Sequence, residues 1–263
     1  MRADQLLVER GLAASRSQAA RLIAAGVQWR ADAGTGAWRP VAKNGDDLPA
    51  SAALELRDAA EARYVSRGGL KLEGALHATG IAVAGLRCLD VGQSTGGFTD
   101  CLLQHGAAQV VGVDVGHGQL HQRLRADPRV LCCEGVNARS LDATILIAAS
   151  ERQSSARGPF DINFGLIVGD VSFISLTLVL PALPLLLAPD GDLLMLVKPQ
   201  FELQPGQIGK GGIVRDASLY AEVEQRIRAA CAACGLTVRQ WLGSPIRGGD
   251  GNREFFIHAR RVP

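Results

Sequence analysis

The stretch Leu86-Arg-Cys-Leu-Asp-Val-Gly-Gln-Ser-Thr-Gly-Gly-Phe-Thr-Asp-Cys-Leu-Leu103 decides the fold of this chain. Its apolar first part predicts a buried strand from Leu86 to Val91, followed by a Gly/Ser/Thr turn and a helix that begins near Gly97. Open α/β sheets build a nucleotide site at the carboxyl end of such a strand. The stretch therefore predicts an α/β sheet with a ligand at this turn.

The glycine spacing of the turn narrows the class of ligand. It reads Gly92-x-x-x-Gly96-Gly97 and not G-x-G-x-x-G, which disfavours a dinucleotide pyrophosphate and suits a ligand without phosphate. The next predicted strand, 109–114, ends in Asp114, at the position of the acid that accepts the hydroxyls of a ribose. Asp90 and Asp100 are placed to engage a cationic amine or the amides of the turn itself.

The rest of the chain supplies the other strands of the predicted sheet and the helices that cover it. Asn137 follows the third strand, where an adenine ring would lie. Only a turn-rich loop separates the last two strands, so the last strand is predicted to be antiparallel to its neighbour. The remaining predictions are strands at 129–133, 162–168, 192–197, 237–242 and 254–259, a helix at 220–234, a buried helix or helix and turn at 174–188, and a polar loop insertion at 148–159.

Length and charge predict one α/β domain with a small appended one. The chain has 263 residues, of which 47% are hydrophobic, and a net charge of +2. Residues 1–43 hold seven Arg and Lys against three Asp and Glu, a net charge of +4, so the remainder carries −2. The basic front segment is therefore placed to meet a polyanion.

Membrane and metal sites are not expected. No apolar segment follows Met1, and Pro181 and Pro184 interrupt the longest apolar run, so we predict a cytoplasmic protein without a membrane segment. Six cysteines in such a chain would stay reduced. The pair Cys231-x-x-Cys234 has no second pair of ligands at usable spacing, so no metal is predicted.

The front segment predicts two short helices and two strands. A helix over 3–10 precedes a second helix that Ser15 and Gln18 open with capping-box spacing, and strands are predicted at 27–30 and 53–56. This pattern resembles the small RNA-binding fold named after ribosomal small-subunit protein four. The resemblance weakens after Val27, where a longer stretch up to Gly36 replaces the usual Asn-Gly turn.

Four ionisable residues stand at the ends of predicted core elements: Lys71, Asp170, Lys198 and Glu254. Lys71 borders the apolar stripe of a helix, and Asp170 and Lys198 each follow a buried strand. Each alone would be read as a surface or capping residue. Because all four are predicted to converge on the ligand-binding edge of one sheet, we expect them to form a site.

The chain as a whole resembles the TlyA family, whose members carry the names haemolysin and ribosomal RNA 2′-O-methyltransferase and whose catalytic domain resembles the FtsJ-type enzymes. The blocks that carry the resemblance, besides the front module, are Ser66-Arg-Gly-Gly-Leu-Lys-Leu72, the turn from Asp90 to Asp100, Val113-Asp-Val-Gly116, Asp170-Val-Ser-Phe-Ile-Ser-Leu176, Val197-Lys-Pro-Gln-Phe-Glu202, Lys210-Gly-Gly-Ile-Val-Arg-Asp216 and Gly251-Asn-Arg-Glu-Phe255.

This resemblance implies a fold, a cofactor and a set of site residues. It implies a Rossmann-like methyltransferase sheet, mostly parallel with its last strand antiparallel, and a small N-terminal α+β RNA-binding domain. The implied division is an RNA-binding module at 1–60, a linker at 61–67 and a methyltransferase domain at 68–263. The implied catalytic residues are Lys71, Asp170, Lys198 and Glu254. S-adenosylmethionine would bind Asp90, Gly92, Ser94, Thr95, Gly96, Gly97, Phe98, Thr99, Asp114, Val115, Asn137 and Asp170, and ribosomal RNA would bind Arg2, Arg16, Arg21 and Arg67.

The chemistry of these residue types agrees with that reading. Methyl transfer to a ribose 2′-hydroxyl is an in-line displacement in which the hydroxyl must lose its proton. We hypothesise that Lys198 is the base or the cation beside the developing alkoxide. A lysine is normally protonated at pH 7, so base catalysis requires Lys71 and partial burial to favour the neutral form.

Three other functions remain open from the sequence. A pore-forming haemolysin would need export and a membrane-inserting segment, and the sequence predicts neither. An RNA-binding assembly factor with an inactive methyltransferase fold is disfavoured by the four ionisable residues. A dinucleotide-linked oxidoreductase fits the strand, turn and acid but not the glycine spacing. The resemblance implies cytidine 2′-hydroxyls of one or both ribosomal RNAs; the residues themselves identify neither the nucleotide nor the oligomeric state.

Overall fold

A computed structural model describes residues 1–13, 15–31, 36–56, 63–153 and 161–262. The chain divides into two compact units, Met1–Leu70 and Lys71–Pro263. The predicted module at 1–60, linker at 61–67 and domain at 68–263 stay predictions, and residues 61 and 62 of that linker lie outside the described residues.

The first unit is a helical pair with a small antiparallel sheet. Its elements are α1 (Ala3–Glu9), α2 (Arg16–Gly26), β1 (Val27–Arg30), β2 (Arg39–Pro40) and β3 (Ala53–Leu56), with strand order β2-β1-β3. The side chain of Ser15 accepts a hydrogen bond from the backbone N–H of Gln18, which confirms the predicted start of α2. Leu7 and Leu22 are buried in the core between the elements.

The second unit is built around one seven-stranded sheet. Its order is β6-β5-β4-β7-β8-β10-β9. Strands β4 to β8 are parallel to one another, and β10 is antiparallel to both β8 and β9. This sheet confirms the predicted α/β class and the antiparallel last strand. The strands are β4 (Arg87–Val91), β5 (Gln109–Asp114), β6 (Val130–Glu134), β7 (Phe164–Gly169), β8 (Leu187–Val197), β9 (Leu236–Gly243) and β10 (Phe255–Arg261).

Helices cover this sheet because its central strands are apolar on both faces. Leu89 of β4 and Ile167 of β7 on one face, and Cys88 of β4 and Leu166 of β7 on the other, are all inaccessible to solvent. The chain runs from β4 to β5 and β6 on one side, and β7 and β8 lie on the other side of β4. This reversal of strand order is the place where open α/β sheets bind ligands. The helices are α3 (Gly68–Thr79), α4 (Gly97–Gln104), α5 (Gln122–Arg125), α6 (Ala143–Gln153) and α7 (Leu219–Ala233).

Two glycines allow the turn between β4 and α4 to pack closely. Gly92 and Gly96 have positive φ angles of 84° and 94°. A Cβ atom on Gly92 would lie 2.8 Å from the carbonyl oxygen of Asp170, and one on Gly96 would lie 2.4 Å from the side chain of Leu124. Any side chain at either position would therefore push the turn away from β7 or α5.

Two sequence predictions were wrong. The segment 174–188 forms short 3-10 turns at Leu176–Leu178 and Leu180–Ala182 and then enters β8 at Leu187, since its prolines prevent a continuous helix. The first part of the predicted loop at 148–159 belongs to α6, because Leu146 and Ala149 are buried on one face of a helix. Residues 154–159 lie outside the described part.

Candidate active site

Lys71, Asp170, Lys198 and Glu254 form one cluster, called the ionic cluster below. Lys71 Nζ lies 2.6 Å from Glu254 Oε2 and 3.6 Å from Asp170 Oδ2. Lys198 Nζ lies 2.5 Å from Asp170 Oδ1, so Asp170 lies between the two ammonium groups. The structure thus brings together the four residues singled out by sequence, which come from α3, the ends of β7 and β8, and the start of β10.

Solvent reaches the ionic cluster from one side. The side chain of Glu254 is 3% exposed and that of Lys71 9%, whereas those of Lys198 and Asp170 are 11% and 22% exposed. Glu254 is therefore the most buried member and Asp170 the most exposed, and Lys198, which contacts the exposed Ser172, lies on the open side. An incoming substrate would meet Lys198 and Asp170.

The two carboxylates of the ionic cluster are held mainly by ion pairs. Glu254 Oε2 and Asp170 Oδ1 have no partner of hydrogen-bond geometry in the described part of the chain, although each is within ion-pair distance of an ammonium group. Burial raises the pKa of Glu254 above its ordinary value, and the charge of Lys71 opposes that rise without cancelling it. Ion pairs that solvent reaches on one side can exchange partners when a polar substrate enters.

Ser172 is a contact of Lys198 that sequence reasoning missed. Lys198 Nζ donates a hydrogen bond of 2.6 Å to Ser172 Oγ, an exposed hydroxyl two residues after Asp170. The ammonium therefore lies between the carboxylate of Asp170 and this hydroxyl. The block Asp170-Val-Ser172 was quoted from the sequence, but nothing in it indicated that the serine faces a residue 26 positions away.

Glu202 connects the two loops that carry Asp170 and Lys198. Its buried carboxylate accepts hydrogen bonds from Ser175 Oγ at 2.6 Å and from the backbone N–H of Leu176 at 2.7 Å. Phe173 and Phe201, one on each loop, lie with ring centres 5.3 Å apart, and Phe173 is 91% exposed. These contacts fix the loops relative to each other while leaving an aromatic face open to solvent.

A cavity of about 550 Å³ opens at the carboxyl ends of β4, β5 and β7, beside Asp170. Six of the predicted cofactor residues line it: Gly92, Ser94, Asp114, Val115, Asn137 and Asp170. Sequence reasoning missed Val113, Gln119, Val136, Ala138 and the run from Val171 to Ile174, which line it as well. Since Asp170 and Ser172 belong to both the wall and the surroundings of Lys198, the cavity and the ionic cluster are adjacent.

The charged residues that line the cavity indicate which class of ligand it can bind. Among the lining residues that the structure describes, two are acidic, Asp114 and Asp170, and none is Lys or Arg. The carboxylate of Asp114 accepts hydrogen bonds from the backbone N–H groups of Ser94 and Gly116, at 2.7 Å each, and keeps free lone pairs for further donors. Valine and isoleucine side chains supply apolar walls. A nucleoside with a cationic group and no phosphate fits this lining, and S-adenosylmethionine has that chemistry.

A buried hydrogen-bond chain lies beneath the turn. Gln93 Nε2 donates to Thr99 Oγ1 at 2.9 Å, and Thr99 Oγ1 donates to Asp90 Oδ2 at 2.7 Å. Asp90 is inaccessible to solvent, and burial raises the pKa of its carboxyl to about 7. The chain fixes the turn from below, so Asp90 and Thr99 are not part of the cavity wall.

The other predicted cofactor residues also lie away from the cavity wall. Thr95 is exposed, Gly96 and Gly97 are buried at the start of α4, and Phe98 packs against Phe256 with ring centres 6.1 Å apart. Their assignment to the cofactor stays a prediction.

The arginines predicted to bind RNA are engaged within the first unit. Arg2 and Arg16 both donate hydrogen bonds to Asp4, and these bonds hold the pKa of the Asp4 carboxyl well below its usual range. Arg21 donates to the carbonyl oxygen of Ser17, and Arg67 is half-buried just before α3. Their role in RNA binding remains a prediction.

The described residues contain no group of three or more His, Cys, Asp and Glu side chains that could hold a metal ion. The six cysteines are free thiols, and burial raises the pKa of Cys88 to about 12. Within the described ranges no helix has the length and apolar character needed to cross a membrane.

Comparison with known proteins identifies the family. Residues 64–261 match the model of the FtsJ-like methyltransferases. The chain is 46% identical over 259 residues to the 16S/23S rRNA (cytidine-2'-O)-methyltransferase TlyA of Mycobacterium tuberculosis, covering 98% of this chain and 89% of the relative. It is 36% identical over 258 residues to Hemolysin A of Brachyspira hyodysenteriae, covering 98% and 99%.

A solved structure of a hemolysin-named protein from Streptococcus thermophilus has the same fold over the full length. It covers 100% of this chain and 88% of its own, with 38% identity and a TM-score of 0.71. The name hemolysin and the name rRNA methyltransferase thus occur among relatives that each cover nearly all of the chain. The chain belongs to the TlyA family of FtsJ-like methyltransferases.

Proposed function

We propose that the protein transfers a methyl group from S-adenosylmethionine to a ribose 2′-hydroxyl of ribosomal RNA, at a cytidine. One observation carries the proposal: a cavity whose described lining residues include two acids and no Lys or Arg borders Lys198, which lies at the solvent side of the ionic cluster. The cavity suits a cationic methyl donor, and the ionic cluster suits an acceptor that must lose a proton. The relative named as an rRNA (cytidine-2'-O)-methyltransferase supports the substrate and the nucleotide.

The cofactor would be held by the cavity wall. Asp114 would accept the ribose hydroxyls, and Asn137 with Val115 and Val136 would border the adenine. Asp170 would offer negative charge near the positive part of the ligand. When bound, S-adenosylmethionine would supply an electrophilic methyl group on a sulfonium sulfur.

The ionic cluster would prepare the acceptor hydroxyl. If neutral, Lys198 Nζ would take the hydroxyl proton; as an ammonium it would hold the alkoxide oxygen while the carboxylate of Asp170 takes the proton, and either contact would replace that with Ser172 Oγ. Asp170 would orient Lys198, and Lys71 and Glu254 would fix Asp170 from the buried side. Because the described site residues surround the cavity on several elements, most of the acceleration would come from positioning.

RNA would be recruited by the first unit and by the surface around the ionic cluster. The front segment carries net positive charge, and its helical pair and small sheet agree with the predicted RNA-binding module. Phe173 beside Phe201 offers an exposed aromatic face next to Ser172, on which an unstacked base would pack. A ribosomal RNA substrate would place the activity in the cytoplasm.

The test is mass-spectrometric mapping of methyl groups after incubation of the purified protein with S-adenosylmethionine and ribosomal subunits. We expect new methyl groups on cytidine ribose 2′-oxygens. Methyl groups on bases alone, or no transfer despite cofactor binding, would reject the proposal. Leakage of dye from lipid vesicles, measured in parallel, tests the activity that the hemolysin-named relatives suggest.

A further inference from the structure

The ribbon of β1 and β2 carries the dipeptide Trp-Arg twice, once at the end of β1 and once at the start of β2. Arg30 Cζ lies 4.7 Å from the ring centre of Trp38, and Arg39 Cζ lies 5.9 Å from that of Trp29. Each guanidinium therefore faces the indole of the other strand. These four residues, Trp29, Arg30, Trp38 and Arg39, are called the Trp-Arg ribbon.

Core packing explains one of these tryptophans and not the other. Trp29 is partly buried against the hydrophobic core of the first unit, whereas Trp38 is outside the set of residues that pack on it. Trp38 is only partly buried, although it is one of only three tryptophans in the chain. A large indole retained at such a position, beside a guanidinium, has the chemistry that stacks on a nucleobase.

Charge on this stretch favours a polyanion. Residues 27–43 contain three cations, Arg30, Arg39 and Lys43, and one acid, Asp32. By contrast, Arg2, which precedes α1, and Arg16, the first residue of α2, share the single carboxylate of Asp4, which compensates part of their charge. Residues 27–43, which hold β1 and β2, thus combine aromatic side chains with a net charge of +2, as single-stranded nucleic-acid sites do.

We infer that the Trp-Arg ribbon binds an unpaired nucleobase of the RNA, which stacks on Trp38 while Arg39 contacts the adjoining phosphate. The inference rests on the proposed RNA substrate and adds a base-contact site outside α2 and outside the ionic cluster. Since every base has a π face, this contact anchors the RNA without choosing the methylated nucleotide.

The experiment uses the full chain and two ligands, a short single-stranded RNA and an abasic ribose-phosphate oligomer of the same length. Binding of both is measured by fluorescence anisotropy for the wild type and for Trp38→Ala, Trp38→Phe and Arg39→Ala. Arg10→Ala is the matched control for charge, because Arg10 lies at the end of α1 and donates to Ala50. Melting temperatures are measured for every variant.

We expect the wild type to prefer the RNA with bases. Trp38→Ala should weaken binding of that RNA by about fivefold or more and leave the abasic oligomer unaffected, and Trp38→Phe should restore most of the loss. Arg39→Ala should weaken both ligands and lower the salt dependence by about one phosphate contact, whereas Arg10→Ala should change binding less.

Equal weakening of both ligands by Trp38→Ala, or unchanged binding in a folded variant, would overturn the inference. If Trp38→Ala also melts earlier, Trp38→Leu decides, because it keeps a large apolar side chain without an aromatic face: selective loss of the RNA with bases supports stacking, and unchanged preference for it rejects stacking. Competition by polyglutamate that depends on Trp38 would point to a protein partner and count against RNA. The proposed function can be rejected independently of this inference. If the wild type binds RNA through Trp38 but transfers no methyl group, the methyltransferase proposal is rejected and the inference about the Trp-Arg ribbon stands.

Discussion

Asp4 in the first unit and Glu254 in the second are each a buried carboxylate paired with cations, but the pKa of the two carboxyl groups is shifted in opposite directions. Asp4 receives hydrogen bonds from Arg2, Arg16 and the backbone N–H of Gln5, and the pKa of its carboxyl is held well below the ordinary value. Glu254 touches Lys71 at 2.6 Å, yet burial keeps its pKa above the ordinary value.

The opposite pKa shifts of Asp4 and Glu254 come from the hydrogen bonds that each carboxylate accepts and from the solvent exposure of its cationic partners. The arginines on Asp4 are half-exposed, at 49% and 58%, so their charge stays hydrated while the carboxylate is fully satisfied. Lys71 and Lys198 are nearly covered, and the two carboxylates of the ionic cluster keep oxygens without hydrogen-bond geometry in the described residues. The first arrangement suits stabilisation of the fold, and the second suits the chemistry that we propose for the ionic cluster.

Lys71→Met should have a large effect on activity. The substitution keeps the apolar part of the side chain and removes the ammonium group that lies between Glu254 and Asp170. Glu254 would then take up a proton, and Asp170 would lose its ion pair with Lys71. Turnover with saturating substrates should fall by about 100-fold. The control is Arg228→Met, which removes an exposed ion pair with Glu224 on α7. Turnover within twofold of the wild type would make the cluster structural, like Asp4.

Asp114→Asn should separate cofactor binding from chemistry. Asp114 lines the cavity and not the ionic cluster, and an amide can replace only part of its accepting capacity. The dissociation constant for S-adenosylmethionine, measured by calorimetry, should rise by about 10- to 100-fold. Turnover at saturating cofactor should change little. A fall in turnover with unchanged cofactor affinity would remove Asp114 from the cofactor site.

Asp4→Asn should affect stability and leave turnover unchanged. It removes the charge that Arg2 and Arg16 share, so the melting temperature of the full chain at pH 7 should fall by several degrees. Because the pKa of Asp4 is lowered on folding, its contribution is present above the ordinary pKa and is lost as pH falls below it. Asp47→Asn, at a carboxylate that is 89% exposed, is the control. A turnover loss as large as that of Lys71→Met would contradict the contrast between the clusters.

Asp90→Asn should change only the pH dependence of stability. Burial raises the pKa of Asp90 from 3.8 to about 7, so the folded chain holds a proton that the unfolded chain releases. Stability should therefore decrease as pH rises through that interval, and the asparagine variant should lose this decrease. Urea unfolding at several pH values measures it. A steeper pH dependence in the variant would show that Asp90 is ionised in the fold.

Sequence alone predicted the elements whose apolar pattern is unambiguous. The bounds of β1, β3 and β5 agree with the predicted strands 27–30, 53–56 and 109–114. The run 174–188 is apolar on all sides, so no period could distinguish a helix from short turns that lead into a strand. The polar residues near 150 concealed the end of α6, which is buried on one face only.

The candidate site, like the fold, was predicted from the sequence only in part. The positions of Lys71, Asp170, Lys198 and Glu254 at element ends predicted their convergence, because parallel strands end at one edge. The contact of Lys198 with Ser172 and the two hydrogen bonds to Glu202 depend on how two loops fold against each other. Likewise, the pairing of Arg2 and Arg16 with Asp4 depends on the packing of α1 against α2, which charge counting does not show.

The single-turnover rate of Lys198→Ala tests the central claim most directly. It is measured with ribosomal subunits and S-adenosylmethionine at saturation, together with the cofactor dissociation constant. If Lys198 acts on the acceptor hydroxyl beside an intact cofactor cavity, the rate should fall by about 100-fold or more while cofactor affinity stays unchanged. A rate near that of the wild type, or a loss explained entirely by cofactor affinity, would contradict the account.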